Sequence, residues 1–172
     1  SNLISLNPTK FDGSDSLIGQ RVFTQSNIDE AFVLGVEAQV KAIINPHLIV
    51  TAQGTYTYGQ TIEENPSALR RIPPLFGRLE IRYQWQKAWF VAEVMAAGSQ
   101  NRLSEADVDD FRIPEGGTLG WNIMNIYAGY DWNWIMASIR LENLFDEAYR
   151  YHGSGIDGYG RSLWMTLQFR IQ

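Results

Sequence analysis

The sequence contains no cysteine in its 172 residues, so disulfides and thiolate metal sites are impossible. Histidine is nearly as scarce: His47 sits by a turn and His152 in a loop, too far apart in sequence to form a metal-spaced pair. No run of eighteen apolar residues exists, which excludes a transmembrane helix. A transmembrane barrel is not excluded, because its strands need apolar side chains only at alternate positions. Positive charge is also short, with 14 Lys and Arg against 19 Asp and Glu, and a net charge of −5 offers no nucleic-acid surface. No serine elbow or phosphate-binding glycine loop appears, and Glu37 and Glu93 would form a carboxylate pair only by accident of strand pairing. No enzyme activity and no cofactor are therefore expected. No signal peptide precedes Ser1, and the chain opens directly on Leu3-Ile4-Ser5-Leu6. It is expected to begin mid-element, as a fragment or processed product would.

What is abundant is aromatic residues and glycine. Six Trp, eight Tyr, eight Phe and 15 Gly suit strands and turns better than helices. Period-two alternation recurs along the chain. In residues 32–44, Leu34, Val36, Ala38, Val40, Ala42 and Ile44 share one face. The pattern continues over residues 48–58, 75–86, 89–99, 122–132 and 134–144, and is clearest at the end. There Leu163, Met165, Leu167, Phe169 and Ile171 alternate with Ser162, Trp164, Thr166, Gln168 and Arg170. Shorter extended stretches are expected at residues 1–7 and 21–25, on either side of a loop over 8–19. Trp134, Ala137, Leu141, Leu144, Phe145 and Ala148 also fit helical spacing. The flanking strands and the β-branched and aromatic content favour the extended reading there.

About eight strands result, and their connections alternate in length. Near residues 46, 87 and 132 they are short turns. Near residues 13, 66, 110 and 155 they are long loops, two of them carrying Asn65-Pro66, Pro73-Pro74 and Gly116-Gly117. Outer-membrane barrels alternate in this way, with short periplasmic turns and longer outer loops, whereas a soluble sandwich has no reason to. Trp85, Trp89, Trp132 and Trp134 flank the short turns, and Tyr56, Tyr58, Tyr149 and Tyr151 lie near the long loops. Amphipathic rings favour both membrane interfaces, although rings filling a core near hairpin ends would give the same spacing. Glu37, Lys41, Arg78, Glu80, Arg82, Glu93, Arg140, Glu142 and Arg170 fall opposite the apolar stripe. A wet lumen would hydrate or pair them, and so would the solvated face of a one-sided sheet.

The last forty residues are the most specific. Asn143-Leu144-Phe145-Asp146-Glu147-Ala148-Tyr149 is followed by a glycine-containing loop, then Gly160-Arg161, then the final strand. This order resembles the C-terminal end of TonB-dependent outer-membrane receptors, which close with an N-L-F-D-x-x-Y motif, a loop, P-G-R and a last strand. Tyr159 stands where that family usually has proline, and Ile171-Gln172 replaces its terminal aromatic residue. Gly35-Val36-Glu37 resembles the family's G-V-E strand.

The resemblance implies an all-β fold. Residues 1–172 would be the C-terminal portion, about eight antiparallel strands, of a larger barrel of the 22-stranded type. The plug domain and upstream strands would lie outside these residues, and the C-terminus would be periplasmic. The protein would be integral to the bacterial outer membrane. It would take up a scarce solute such as a siderophore or cobalamin, powered by the TonB complex acting through the plug. Its partners would be outer-membrane lipid, the plug, the remaining strands and the ligand. By position on the long loops, Arg70, Arg71, Arg102, Arg112, Tyr151 and His152 are the ligand-binding candidates, arginine suiting carboxylates or phosphates. Asn143, Leu144, Phe145, Asp146, Tyr149, Gly160 and Arg161 carry the motif and are read as structural. The alternative is a small closed outer-membrane barrel, structural or adhesive, without energy coupling; a soluble sugar-binding sandwich is a third reading.

Overall fold

The computed structural model describes residues 30–171 in full and, of the first 29 residues, only strand positions. These are β1 (Leu3–Pro8), β2 (Ser16–Leu17), β3 (Gln20–Arg21) and β4 (Phe23–Ile28). The main body comprises β5 (Ala31–Asn45), β6 (Leu48–Thr61), β7 (Phe76–Trp85), β8 (Ala88–Ala97), α1 (Glu105–Val108), β9 (Trp121–Asp131), β10 (Ile135–Glu142) and β11 (Ser162–Phe169). Strands β5 to β11 form one seven-stranded antiparallel sheet in which every strand pairs with its sequence neighbour. Strands β1 and β4 pair with each other, and β2 with β3, outside this sheet. The two expected stretches at residues 1–7 and 21–25 thus find one another rather than extending the sheet. Apart from the β2–β3 hairpin, the loop expected over residues 8–19 lies outside the described residues. The helical alternative for residues 134–148 does not form: eight of these residues are β10, paired on both sides.

The sheet is open, with β5 and β11 as its two edges. Hydrocarbon does not tolerate unpaired strand edges, so a spanning sheet of this kind must be completed by further strands. A small closed barrel would need β5 and β11 to meet, and they do not pair.

Burial is inverted relative to a soluble sheet. Among the described residues only Val91, Ile113, Trp121 and Ile123 are buried hydrophobics, whereas Glu93, Asn125, Asp107, Asp110, Thr118 and Asn143 are buried polar groups. Val36 is 69% exposed, Val40 65% and Leu34 62%, and Leu79, Ile81, Phe90, Val94 and Ile139 are also exposed. The strand register explains the pattern. Leu34 faces Tyr58, Val40 faces Ala52, Ala52 faces Leu79 and Leu79 faces Val94, so the alternate apolar residues form one continuous outer face. The intervening residues form the other: Gln53 opposite Arg78, Glu80 opposite Glu93, and Glu93 opposite Asn125. An apolar outside with a polar inside fits lipid on one face and a lumen on the other.

The short turns are built economically. The Asn45 side chain accepts the His47 and Leu48 amides at 2.8 and 3.0 Å, and Asp131 accepts the Asn133 amide at 2.9 Å. Gln86 (φ 52°) and Asn133 (φ 71°) take up left-handed backbone at the other two turns. Three of the four tryptophans near the turns, Trp85, Trp132 and Trp134, are exposed. Trp89 behaves differently. It projects to the lumen face and lies against Gly129, where any side chain would collide with its ring, under the Arg82 guanidinium 5.2 Å away.

Candidate functional site

At the end of the sheet opposite these turns, residues 62–75, 98–120 and 143–161 form three long connections. The lumen wall below them is organised around Glu93. Arg78 Nε donates to Glu93 Oε2, and Arg78 Nη2 donates to Glu80 Oε2 at 2.6 Å. One guanidinium therefore bridges two carboxylates that the register sets directly opposite, an arrangement that would otherwise repel. Asn125 Nδ2 and Tyr127 Oη donate to Glu93 Oε1 at 2.8 and 2.6 Å. With both oxygens bonded, the buried charge is compensated.

Asn125 extends this network into the last loop by accepting the Asn143 amide at 2.8 Å. Asn143, 2% exposed, sits at φ 51°, backbone that asparagine tolerates better than most residues. Its Nδ2 donates to the carbonyls of Glu147 (2.8 Å) and Tyr159 (3.0 Å), and its Oδ1 accepts the Glu147 amide at 2.9 Å. The Leu144 amide bonds to the Met124 carbonyl, while Phe145 points away, 65% exposed. Asp146 (φ 59°) accepts the Arg161 amide at 2.7 Å, and a Cβ at Gly160 would press on that carboxylate. The Tyr149 ring covers Gly158, where only glycine leaves room, and packs 4.8 Å from Trp121. Tyr151 meets Trp121 edge-on at 5.1 Å. Tyr149 and Tyr151 therefore turn inward onto a lumen-face tryptophan instead of joining an outer aromatic belt. Burial pushes both phenols up in pKa.

The other two long loops are joined through a pair of buried acids. Ser104 and Asp107 form a reciprocal cap on the single turn α1, which the sequence reading did not anticipate. The Asp107 carboxylate also accepts the Arg71 amide at 3.1 and 3.2 Å. Asp110 accepts from Arg70 and Arg71, each at 3.1 Å, and from both Nε and Nη2 of Arg112, at 2.8 and 2.7 Å. Three of the four candidate arginines thus converge on one carboxylate. Arg102 is apart from them: it donates to Gly59 O and Gln60 Oε1 at 2.7 and 3.2 Å and covers the Tyr58 ring at 4.1 Å.

Tyr151 and His152 are brought to a cavity of about 270 Å³ at the loop end of the lumen face. Pro73, Pro74, Phe76, Leu119 and Trp121 supply much of its wall. Thr118 Oγ1 lies 2.9 Å from His152 Nδ1, while His152 Nε2 is buried without a hydrogen-bond partner. Burial lowers the His152 pKa, as Arg71 does less strongly, against the raising influence of Asp107 and Asp110. Arg150, also on the wall, gives its carbonyl to Trp121 Nε1 at 3.0 Å and its guanidinium to Asp157 at 2.8 Å. Sequence reasoning missed Asp107, Asp110, Trp121, Asn125 and Thr118. Only Asp107 carried a local signal, the Ser104-x-x-Asp107 cap spacing.

The profile of the family described as "TonB dependent receptor-like, beta-barrel" matches residues 1–144. The chain belongs to this family. No curated protein sequence matches it. Among solved structures it is similar to the copper transporter OprC, with TM-score 0.75 and 20% identity over 87% of this chain and 25% of that one. It is also similar to a mutant of the ferric enterobactin receptor PfeA from Pseudomonas aeruginosa (TM-score 0.64, 15% identity, 96% of this chain and 26% of that one). The FrpB iron transporter from Neisseria meningitidis, F3-3 variant, gives TM-score 0.65 and 12% identity over 95% of this chain and 26% of that one. The chain spans about a quarter of the length of these solved structures. Membership makes the sheet part of a TonB-dependent receptor barrel, integral to the bacterial outer membrane, in a family of transporters rather than enzymes. The apolar face is accordingly the lipid face.

Proposed function

We propose that residues 1–172 are the C-terminal portion of a barrel that takes up a scarce solute, a siderophore, cobalamin or a similar compound, across the outer membrane. On this reading the short turns are periplasmic and the long loops face outside. The polar face meets a plug domain, further strands complete the barrel, and the TonB complex drives transport through the plug. The observation that carries the proposal is how the long loops are held. Buried Asp107 and Asp110, the Asn143 side chain and the Trp121 platform fix them above the lumen face, and a cavity is left open there. Loops that only capped a structural barrel would not need that preformed concavity. Two of the six ligand candidates, Tyr151 and His152, line it. Arg70, Arg71 and Arg112 support it from behind through Asp110, and Arg102 braces the rim.

Uptake of labelled ferric siderophores and cobalamin by the native host tests the proposal. Deleting the gene is expected to abolish uptake of one solute, and disabling the TonB complex to abolish the same one. Uptake that survives loss of the TonB complex would overturn it.

A further inference from the structure

The lipid face is not evenly filled. Near its short-turn end a hollow of about 310 Å³ crosses β8, β9, β10 and β11. Strand pairing sets small residues among large ones there. Ala128 lies between Phe90 and Ile139, Ala137 lies between Tyr130 and Leu167, and Ala88 flanks Tyr130 on its other side. The three alanines and the backbone of the paired Gly129 and Ser138 make the floor. Phe90, Ile139 and Leu167, all exposed, rise around it as a rim. Lipid tails are as apolar as this wall, so hydrophobicity alone holds none of them in place. Fit does: a methylene in the hollow touches protein on several sides, where one on a flat wall touches it on one. A cavity of roughly 150 Å³ holds a six-carbon ring, so about 310 Å³ takes roughly twelve carbons. That is a long stretch of one acyl chain.

The groups next to the hollow suit the other end of such a lipid. The Tyr130 ring packs 4.5 Å from that of Trp132, which is exposed, and aromatic rings of this kind sit at the membrane interface. Lys87, the residue before Ala88, is exposed and donates to Asn133 Oδ1 at 3.0 Å, so its ammonium spans from the β7–β8 turn to the β9–β10 turn. Among the described residues its ammonium has this one hydrogen-bond partner, which leaves two N–H groups for a phosphate oxygen. Asp131 is already bonded twice by Arg170, at 2.7 and 3.1 Å, which offsets its repulsion of an anion. We propose that the hollow seats one acyl chain of a glycerophospholipid from the leaflet on the short-turn side, with the lipid phosphate at Lys87. This seat is separate from solute uptake. It follows from the lipid face, and only the name of its leaflet rests on the reading of the short turns as periplasmic.

Native mass spectrometry of the full-length gene product in detergent, titrated with dimyristoylphosphatidylglycerol, tests it. One lipid is expected to bind about tenfold more tightly than those that follow. Ala128→Leu and Ala137→Leu, which fill the hollow from two strands, should each remove that tight step. Ala92→Leu, on the same face but outside the hollow, should keep it. Lys87→Gln should weaken it about threefold. Heat-modifiable gel migration reports whether each variant retains a folded barrel. Lipids that add without a tight first step overturn the proposal, as does a tight step that survives in both filled variants or is lost in Ala92→Leu. A tight step unaltered by Lys87→Gln overturns the phosphate contact. A dimer that dissociates in the filled variants would make the hollow an interface between two copies of the chain, and overturns the lipid seat. The readout needs no transported solute, so the seat can fail while TonB-dependent uptake stands, and the reverse.

Discussion

The two ends of the sheet solve the same problem with different means. Each must reverse the chain between antiparallel strands. At the turn end a few residues suffice, and one side chain such as Asn45 or Asp131 satisfies the amides left over. At the loop end the chain spends 14, 23 and 19 residues (62–75, 98–120 and 143–161). It holds them with buried carboxylates, a buried asparagine and stacked rings. The turn end combines local backbone geometry with exposed bonds between neighbouring turns, Lys87 to Asn133 and Arg170 to Asp131, whereas the loop end relies on buried contacts between segments distant in sequence. Change at one exposed turn residue should cost less than change at a buried group, such as Asp110, that several partners share.

Asp110→Ala should break that contrast most visibly. It removes the acceptor shared by Arg70, Arg71 and Arg112 and leaves three guanidiniums facing one another. Loss of one partner of a buried pair costs roughly 3–5 kcal/mol. The arginine side chains here remain 33–43% exposed, so about 2–3 kcal/mol is the appropriate scale. Amide exchange in residues 62–75 and 98–120 of the full-length protein should accelerate roughly a hundredfold, with no change at the short turns. Asn133→Ala, which places alanine at φ 71° and removes the exposed bond from Lys87, should cost about 1–2 kcal/mol and act only on its own hairpin and the Lys87 turn beside it. Equal, delocalised effects from both substitutions would refute the division into a local and a networked end.

Asn143→Ala should produce the next largest change. It deletes two donated and one accepted side-chain bond and leaves alanine in left-handed backbone. The loss should be about 2–3 kcal/mol, confined to the last loop. Exchange protection should fall across residues 143–161, and the Tyr149–Trp121 contact should loosen, seen as altered tryptophan fluorescence. Asn143→Asp keeps the acceptor but turns a carboxylate oxygen onto the Glu147 and Tyr159 carbonyls in a buried site, so it should be at least as destabilising as alanine. An aspartate variant as stable as wild type would mean that the two carbonyl contacts contribute nothing.

How far these features could be read in advance follows from their range. The strands were legible because alternation is a property of each segment alone: residues 32–44 and 48–58 became β5 and β6 with only small changes at their ends. The alternation of short turns and long loops after residue 45 was equally legible. The N-L-F-D-x-x-Y motif marked Asn143 and Asp146, because their bonds return to Glu147, Tyr159 and Arg161 within one connection. Glu93 was partly accessible, since the tight turn after Trp85 sets it opposite Glu80 and requires a cation between them. The fate of the arginines was not. Nothing local distinguishes Asp110 from Asp109 as the carboxylate that receives three guanidiniums, because the choice depends on how residues 62–75 and 98–120 meet. The inward turn of Tyr149 and Tyr151 was hidden for a similar reason. Their spacing fits a membrane belt, but Tyr149 packs over the bare backbone of Gly158 and onto Trp121, and Tyr151 packs on Trp121 and Tyr149.

The smallest predicted effect concerns pH at the loop end. His152 lies among Thr118, Asp107, Asp110 and Arg71, and burial outweighs the two acids, so its folded pKa is below the ordinary 6.5. When the folded state resists protonation, the unfolded state binds the proton first as pH falls. The contribution of His152 is therefore full above 6.5 and declines below it, until pH reaches the lower folded value. His47 at the turn end is exposed, and its Nδ1 donates to Gln84 O at 2.9 Å. Amide exchange in residues 150–160, corrected for intrinsic rates, should show reduced protection on moving from about pH 7.5 to about pH 5.5. His152→Phe keeps a ring at the cavity wall and removes the titrating nitrogen, so it should abolish the pH dependence while retaining most of the protection. A pH response that survives in that variant would place the titrating group elsewhere.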